Sequence, residues 1–189
     1  MTVALVRLAL LLPLAACSPD PLLATRVVPF TLSLDRTKAV GSTVCGDSIS
    51  VKDNMDGIFE RFLRDTRQAL GGRDPARITV DEITLYADEG PGFAPLAKSF
   101  GTFDISLVID SPSHTVTLVE LDHSQVKLGD YPTLPVSFDS HLQLTDAQWA
   151  AMLGTLFRVR ICGQATPYYL QESHYFHLHL QLRFNSYDR

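Results

Sequence analysis

Cysteine is scarce in this 189-residue chain, with three in all and no C-x-x-C pair. That excludes the usual zinc-ribbon and thioredoxin-like patterns, which need closely spaced thiols. Long apolar runs are as scarce. The run Leu8–Leu14 gives way to Ser18-Pro19-Asp20, short of the about 20 apolar residues a spanning helix needs. Basic clusters are missing too: 16 Lys and Arg stand against 21 Asp and Glu, a formal net charge of −5. An acidic chain without a basic cluster argues against a nucleic-acid partner and against broad attraction to anionic lipid. Neither a Gly-x-Ser-x-Gly block nor a phosphate-binding glycine loop occurs. Regular alternation of strand and helix patterns, which a parallel sheet requires, is absent, and so is any internal repeat.

What is present begins at the N-terminus. Residues Met1 to Ala16 carry one charge, Arg7, ahead of the apolar run and the small residues Ala15 and Ala16. This is the order of a secretory leader, and alone it would fit ordinary secretory cleavage. The stretch Leu14-Ala15-Ala16-Cys17 resembles the bacterial lipobox. The resemblance implies that residues 1–16 are removed as a lipoprotein signal peptide and that Cys17 becomes the lipidated first residue. It also implies a membrane as partner, through acyl chains that each contribute about 0.8 kcal/mol per buried CH₂. Ser18 after the cysteine implies the outer membrane, where the host has one. Removing 16 of the 189 residues leaves 173, enough for one domain, and moves the side-chain balance to −6 because Arg7 leaves with them.

Ser18 to Thr25, with Pro19 and Pro21, reads as a tether. The expected organisation is therefore a leader over 1–16, a lipidated cysteine and tether over 17–25, and one β-rich domain over 26–189. Cys45 and Cys162 remain, and in an exported chain an isolated pair reads as a disulfide, the alternative being two separate buried thiols. Alternating segments are frequent: Phe30–Asp35, Phe103–Asp110, Thr115–Leu121, Phe157–Cys162 and Tyr175–Phe184. Val136, Phe138, Leu142 and Leu144 recur at even spacing, as on one apolar strand face. Ile78–Val80 and Ile83–Tyr86 are out of phase across Asp81-Glu82, which predicts a bulge.

An amphipathic helix is predicted over about 54–70. Met55, Ile58, Phe59, Phe62, Leu63 and Leu70 form its apolar stripe, Asp53 or Asn54 its cap, and Gly71-Gly72 its stop. Its polar face mixes both signs, which fits packing on a core better than lying in a membrane interface. Thr145-Asp146-Ala147-Gln148 reads as a capping box opening a short second helix, about 146–153. Together these predict a mainly β fold, an antiparallel sandwich or open barrel carrying two helices.

Candidate chemistry is thin. His177 and His179 share one strand face and are weak metal-ligand candidates, with Asp104, Glu120, Asp139 and His141 as possible third ligands; a polar outer face explains the pair as well. His174, out of phase, belongs to the preceding loop. Gly46-Asp47-Ser48-Ile49 resembles the nucleophile block of GDS-type esterases, but no buried strand precedes it and no Asp-x-x-His follows. It is more simply a turn. Phe93, Phe100, Tyr131 and Leu134 lie in or beside Pro/Gly loops, where they would line a ligand mouth or plug the core ends. The expectation is a non-enzymatic, lipid-anchored binding or scaffolding module without a cofactor, its partner an envelope protein or an apolar ligand. A lipid carrier is the first alternative and a metal site on His177/His179 the second.

Overall fold

The strand with the cleanest alternation lies inside its sheet. β8 (Phe176–Tyr187) buries Phe176, Leu178, Leu180, Leu182 and Phe184 and turns His177, His179, Gln181 and Arg183 to the other face. It pairs antiparallel with β1 (Leu22–Leu34) and β3 (Arg77–Ala87), and β3 carries β6 (Thr133–Asp139). The second sheet runs β2 (Thr43–Asp47), β7 (Phe157–Ala165), β4 (Phe100–Asp110), β5 (Ser113–Asp122), again antiparallel. The computed structural model describes residues 21–53, 57–88, 96–122, 133–171 and 176–188. Over these, two four-stranded sheets pack as the β-sandwich that the alternation predicts. Helix α1 (Ile58–Ala69) is the longest; α2 (Leu96–Ser99), α3 (Ser140–Gln143), α4 (Asp146–Leu153) and α5 (Pro167–Gln171) sit in the connections.

One edge of the sandwich is stitched. Leu32 of β1 forms a β-bridge to Ser48, just beyond β2. Here β1 passes so close to β2 that a Cβ on Gly46 would lie 2.6 Å from the Ser33 carbonyl oxygen, so only glycine fits. Pro29 and Pro135 fall in the edge strands β1 and β6, where a missing N–H need not break a ladder bond.

Aromatic side chains close the two ends. At one, Phe59 of α1 meets Phe157 of β7 and Phe184 of β8 edge-on, with centroids 4.9 and 5.0 Å away. The helix thus touches both sheets, as its apolar stripe predicts. Arg26 pairs with Asp65 at 2.7 Å, and the Thr66 and Ser186 hydroxyls hydrogen-bond at 2.8 Å. At the other end Phe100, Tyr169 and Phe176 pack together. The Tyr169 hydroxyl donates to the Leu34 carbonyl at 2.8 Å.

Burial, reinforced by the charge of Asp35, pushes the Tyr169 pKa up to about 12. The folded chain therefore keeps this proton to about pH 12, while the unfolded chain releases it near pH 10. Between those values the unfolded state binds fewer protons, so stability falls as pH rises, by about 2 to 3 kcal/mol in all. Tyr169→Phe removes one buried hydrogen bond, about 1 kcal/mol, and this dependence with it. Urea unfolding is expected to rank the variant below wild type at pH 9 and to show the gap closing or reversing near pH 11.5. A gap that stays constant would contradict the prediction.

Several sequence expectations need correction. β1 already begins at Leu22, with Ala24 paired to Ser186 and Thr25 to Asn185, so the tether expected through Thr25 ends before the sheet starts. Cross-strand pairing overrides the loop-like look of that segment. α1 starts at Ile58, later than the spacing suggests. Its N-cap is Gly57 at φ 52°, without a side-chain cap; Asp53 ends a 3-10 helix (Val51–Asp53), and Asn54 and Met55 lie outside the described residues. The helix stop is as predicted: Gly72 and Gly71 N–H groups bond the Arg67 and Gln68 carbonyls, both glycines at positive φ, as in a Schellman motif. The expected apolar face through Leu142 and Leu144 breaks because the Asp139 carboxylate accepts from the His141 N–H and caps α3; Leu142 is 79% exposed. The bulge in β3 and the capping box of α4 are where the sequence places them.

Candidate functional site

The outer face of the β1–β8–β3–β6 sheet gathers the two candidate histidines around a residue the sequence did not single out. Asp88 follows β3 and donates its backbone N–H to the His177 carbonyl. This register sets its carboxylate between the rings: Oδ2 is 3.3 Å from His177 Nδ1 and Oδ1 is 3.0 Å from His179 Nε2. His179 Nδ1 lies 3.2 Å from the Thr31 hydroxyl, and its ring stacks on Tyr86 at 4.6 Å. A neutral His179 satisfies both neighbours when Nε2–H donates to Asp88 and Nδ1 accepts from Thr31. In that tautomer the His179 ring turns an N–H to the Asp88 carboxylate. Among the described residues no group of three or more His, Cys, Asp and Glu is arranged to hold a metal ion.

The four third-ligand candidates are elsewhere. Asp104 and Glu120 face each other on β4 and β5 of the other sheet. Asp139 caps α3 and pairs with Arg77, and His141 is on α3. Only the order of β3 beside β8 brings Asp88 to the histidines, and no sequence spacing encodes that order.

The Gly-Asp-Ser block forms part of the stitched edge. Ser48 is buried; its Oγ accepts from the Val159 N–H at 2.9 Å, and its own N–H donates to the Val159 carbonyl. Asp47 accepts from Arg160 at 2.6 Å and from Arg158 at 3.1 Å. Partial burial opposes its ionisation, but the hydrogen bonds and charges of the two arginines outweigh it and hold the carboxyl below the usual range. Arg158 also pairs with Asp110. Ser48 is thus a structural hydroxyl joining β2 to β7.

Cys45 and Cys162 form a disulfide between directly opposed residues of β2 and β7, on the outer face of their sheet. Cys45 is exposed and Cys162 half-buried. Beside the bond lies an open cleft of about 480 Å³, edged by Thr43, Asp104, Glu120, Asp122 and Gln164. Gly163 faces the opposite way, where a Cβ would lie 2.6 Å from Phe100.

No protein-family model matches the chain, and no curated protein does. Among solved structures it is similar to the virus-like particle of extra small virus from the giant freshwater prawn Macrobrachium rosenbergii. Identity is 8%, coverage 97% of this chain and 95% of that one, and the TM-score 0.19. A likeness that slight carries no argument about fold or function.

Of the apolar residues expected in or beside loops, Phe100 opens β4 and is fully buried at a core end, and Leu134 lies within β6, packed partly buried against the core. Phe93, Tyr131 and His174 lie outside the described residues, as do Cys17 and Ser18. No helix among the described residues is long and apolar enough to cross a membrane.

Proposed function

We propose that the chain is a lipid-anchored lipoprotein of the bacterial cell envelope, whose β-sandwich serves as a non-enzymatic binding or scaffolding module for another envelope protein. The observation that carries this reading is Leu14-Ala15-Ala16-Cys17, five residues ahead of the first strand. Cys17 supplies the acylated anchor, and Ser18 favours the outer membrane of a Gram-negative host. A protein partner is preferred to a carried lipid because Phe59, Phe100, Phe138, Phe157, Phe176 and Phe184 fill the space between the sheets that a carrier would keep open. The non-enzymatic part draws on Ser48, whose hydroxyl is buried and accepts from the Val159 N–H.

Expression of the full chain in a Gram-negative host tests the anchor. The protein is expected in the outer-membrane fraction, with an N-terminal peptide that starts at Cys17 and carries acyl mass. Cys17→Ser is expected to abolish that mass and leave the chain soluble or with its leader uncut. Wild-type protein recovered soluble and unacylated would overturn the reading.

A further inference from the structure

We infer that the Cys45–Cys162 bond is made on the already folded sandwich, by exchange with an external disulfide that Cys45 attacks first. The inference rests on the export proposed above, which brings the chain to a compartment where thiols are oxidised. In the unfolded chain the two thiols are 117 residues apart, a separation at which they seldom meet. Folding brings them together without help from the bond. On one side of the pair the Ser42 hydroxyl donates to Gln164 Oε1 at 2.7 Å, and Gln164 Nε2 donates to the Thr43 hydroxyl at 3.0 Å. On the other side Asp47 accepts from Arg160 and Arg158, and Ser48 makes two hydrogen bonds with Val159. The register that sets Cys45 opposite Cys162 is therefore pinned at both ends, and β7 is held in turn by β4.

The two sulfurs are not equivalent. Cys45 lies on β2, the last strand of its sheet, and is exposed. Cys162 lies on β7, between β2 and β4, and is half-buried. Directly across from it on β4 stands Asp104, which with Glu120 and Asp122 edges the open cleft beside the bond. A thiolate on Cys162 forms against these carboxylates, whereas Cys45 is separated from them by Cys162 itself. The carboxylate nearest to Cys45 along its own strand is Asp47, whose charge Arg158 and Arg160 offset. The thiolate is the attacking species in disulfide exchange, so access and charge both favour Cys45.

Two displacements complete the transfer. The Cys45 thiolate attacks one sulfur of the external disulfide, an S–S bond forms to Cys45, and the other half leaves as a thiolate. Cys162, opposed in register, then attacks Cys45 Sγ; the Cys45–Cys162 bond forms and the second half leaves. The two cysteine thiols lose two electrons, the external disulfide gains them, and the two protons pass through solvent to the departing thiolates. Because the second attack is intramolecular and already aligned, the mixed disulfide closes in preference to exchanging again.

The test uses the full chain, acylated at Cys17, reduced in detergent and given the uncharged bis(2-hydroxyethyl) disulfide. The reduced chain is expected to keep the far-ultraviolet spectrum of the bonded one. With one cysteine of the pair left, capture is expected to be several-fold faster at Cys45, in Cys162→Ser, than at Cys162, in Cys45→Ser. In urea that unfolds both chains the two rates are expected to converge. With both cysteines present, samples quenched early in acid are expected to carry the adduct mass on the peptide of Cys45. Equal capture in the folded chains, or faster capture at Cys162, overturns the inference, and so does a reduced chain with an unfolded spectrum. Peptide masses read each cysteine separately, so a Cys17 without acyl mass would refute the anchor and leave the result at Cys45 intact.

Discussion

Replacing Cys45 and Cys162 together by serine is expected to lower the unfolding free energy by about 4 to 5 kcal/mol, the chain-entropy value for a loop of this length. The bond joins residues 117 apart in sequence, so without it the unfolded chain regains the freedom of a very long loop. The folded state loses little. Thr43 still faces Gln164, Gly46 faces Ile161, and Asp47 faces Arg160. Asp47 also keeps its hydrogen bonds to Arg158 and Arg160, and Ser48 keeps both bonds to Val159. The β2–β7 register is therefore held by several contacts besides the disulfide. The serine pair is expected to keep the wild-type far-ultraviolet spectrum, to unfold at lower urea, and to show a steeper urea dependence because its unfolded state is more expanded. A loss below about 1 kcal/mol would mean that the unfolded chain already holds the two strands together.

The cysteine pair and the strand periodicity were legible because each depends on local chemistry. Phe176 to Phe184 alternates strictly, and one face of that strand is wholly buried. Cys45 and Cys162 form the isolated pair that the sequence reading expected to bond, and they are opposed in adjacent strands. Period-2 reasoning fails where a capping side chain interrupts it. Asp139 turns the chain into α3, and Leu142, apolar and in phase, ends in solvent. It fails differently in β4, where Ser106 and Val108 are buried although they face away from Phe103 and Ile105; their cross-strand neighbours on β7 are the long side chains of Arg160 and Arg158. The Asp88–His177–His179 group was out of reach for a further reason. Residues 88 and 179 are 91 apart and meet only because β8 takes its place between β1 and β3. Strand order is a property of the whole sandwich, and no window of sequence carries it.

Phe59→Ala is expected to cost about 3 to 5 kcal/mol, the range for a buried phenylalanine cut back to a methyl. The ring is 1% exposed and stands between Phe157 of one sheet and Phe184 of the other, both edge-on, with Phe62 at 5.6 Å. Each such aromatic pair contributes about 0.5 to 1.5 kcal/mol beyond its buried area. Three neighbours on separate elements cannot all collapse into the space left, so the cavity persists and the loss belongs near the top of the range. Phe59→Leu keeps most of the volume and is expected to cost less. Leu142→Ala removes as apolar a side chain from a site 79% exposed and is expected to stay within about 0.5 kcal/mol of wild type. Urea midpoints for the three variants at unchanged slope measure this order directly. If Phe59→Ala proved as mild as Leu142→Ala, α1 would be an appendage on the sandwich, and its face toward both sheets would not be part of the core.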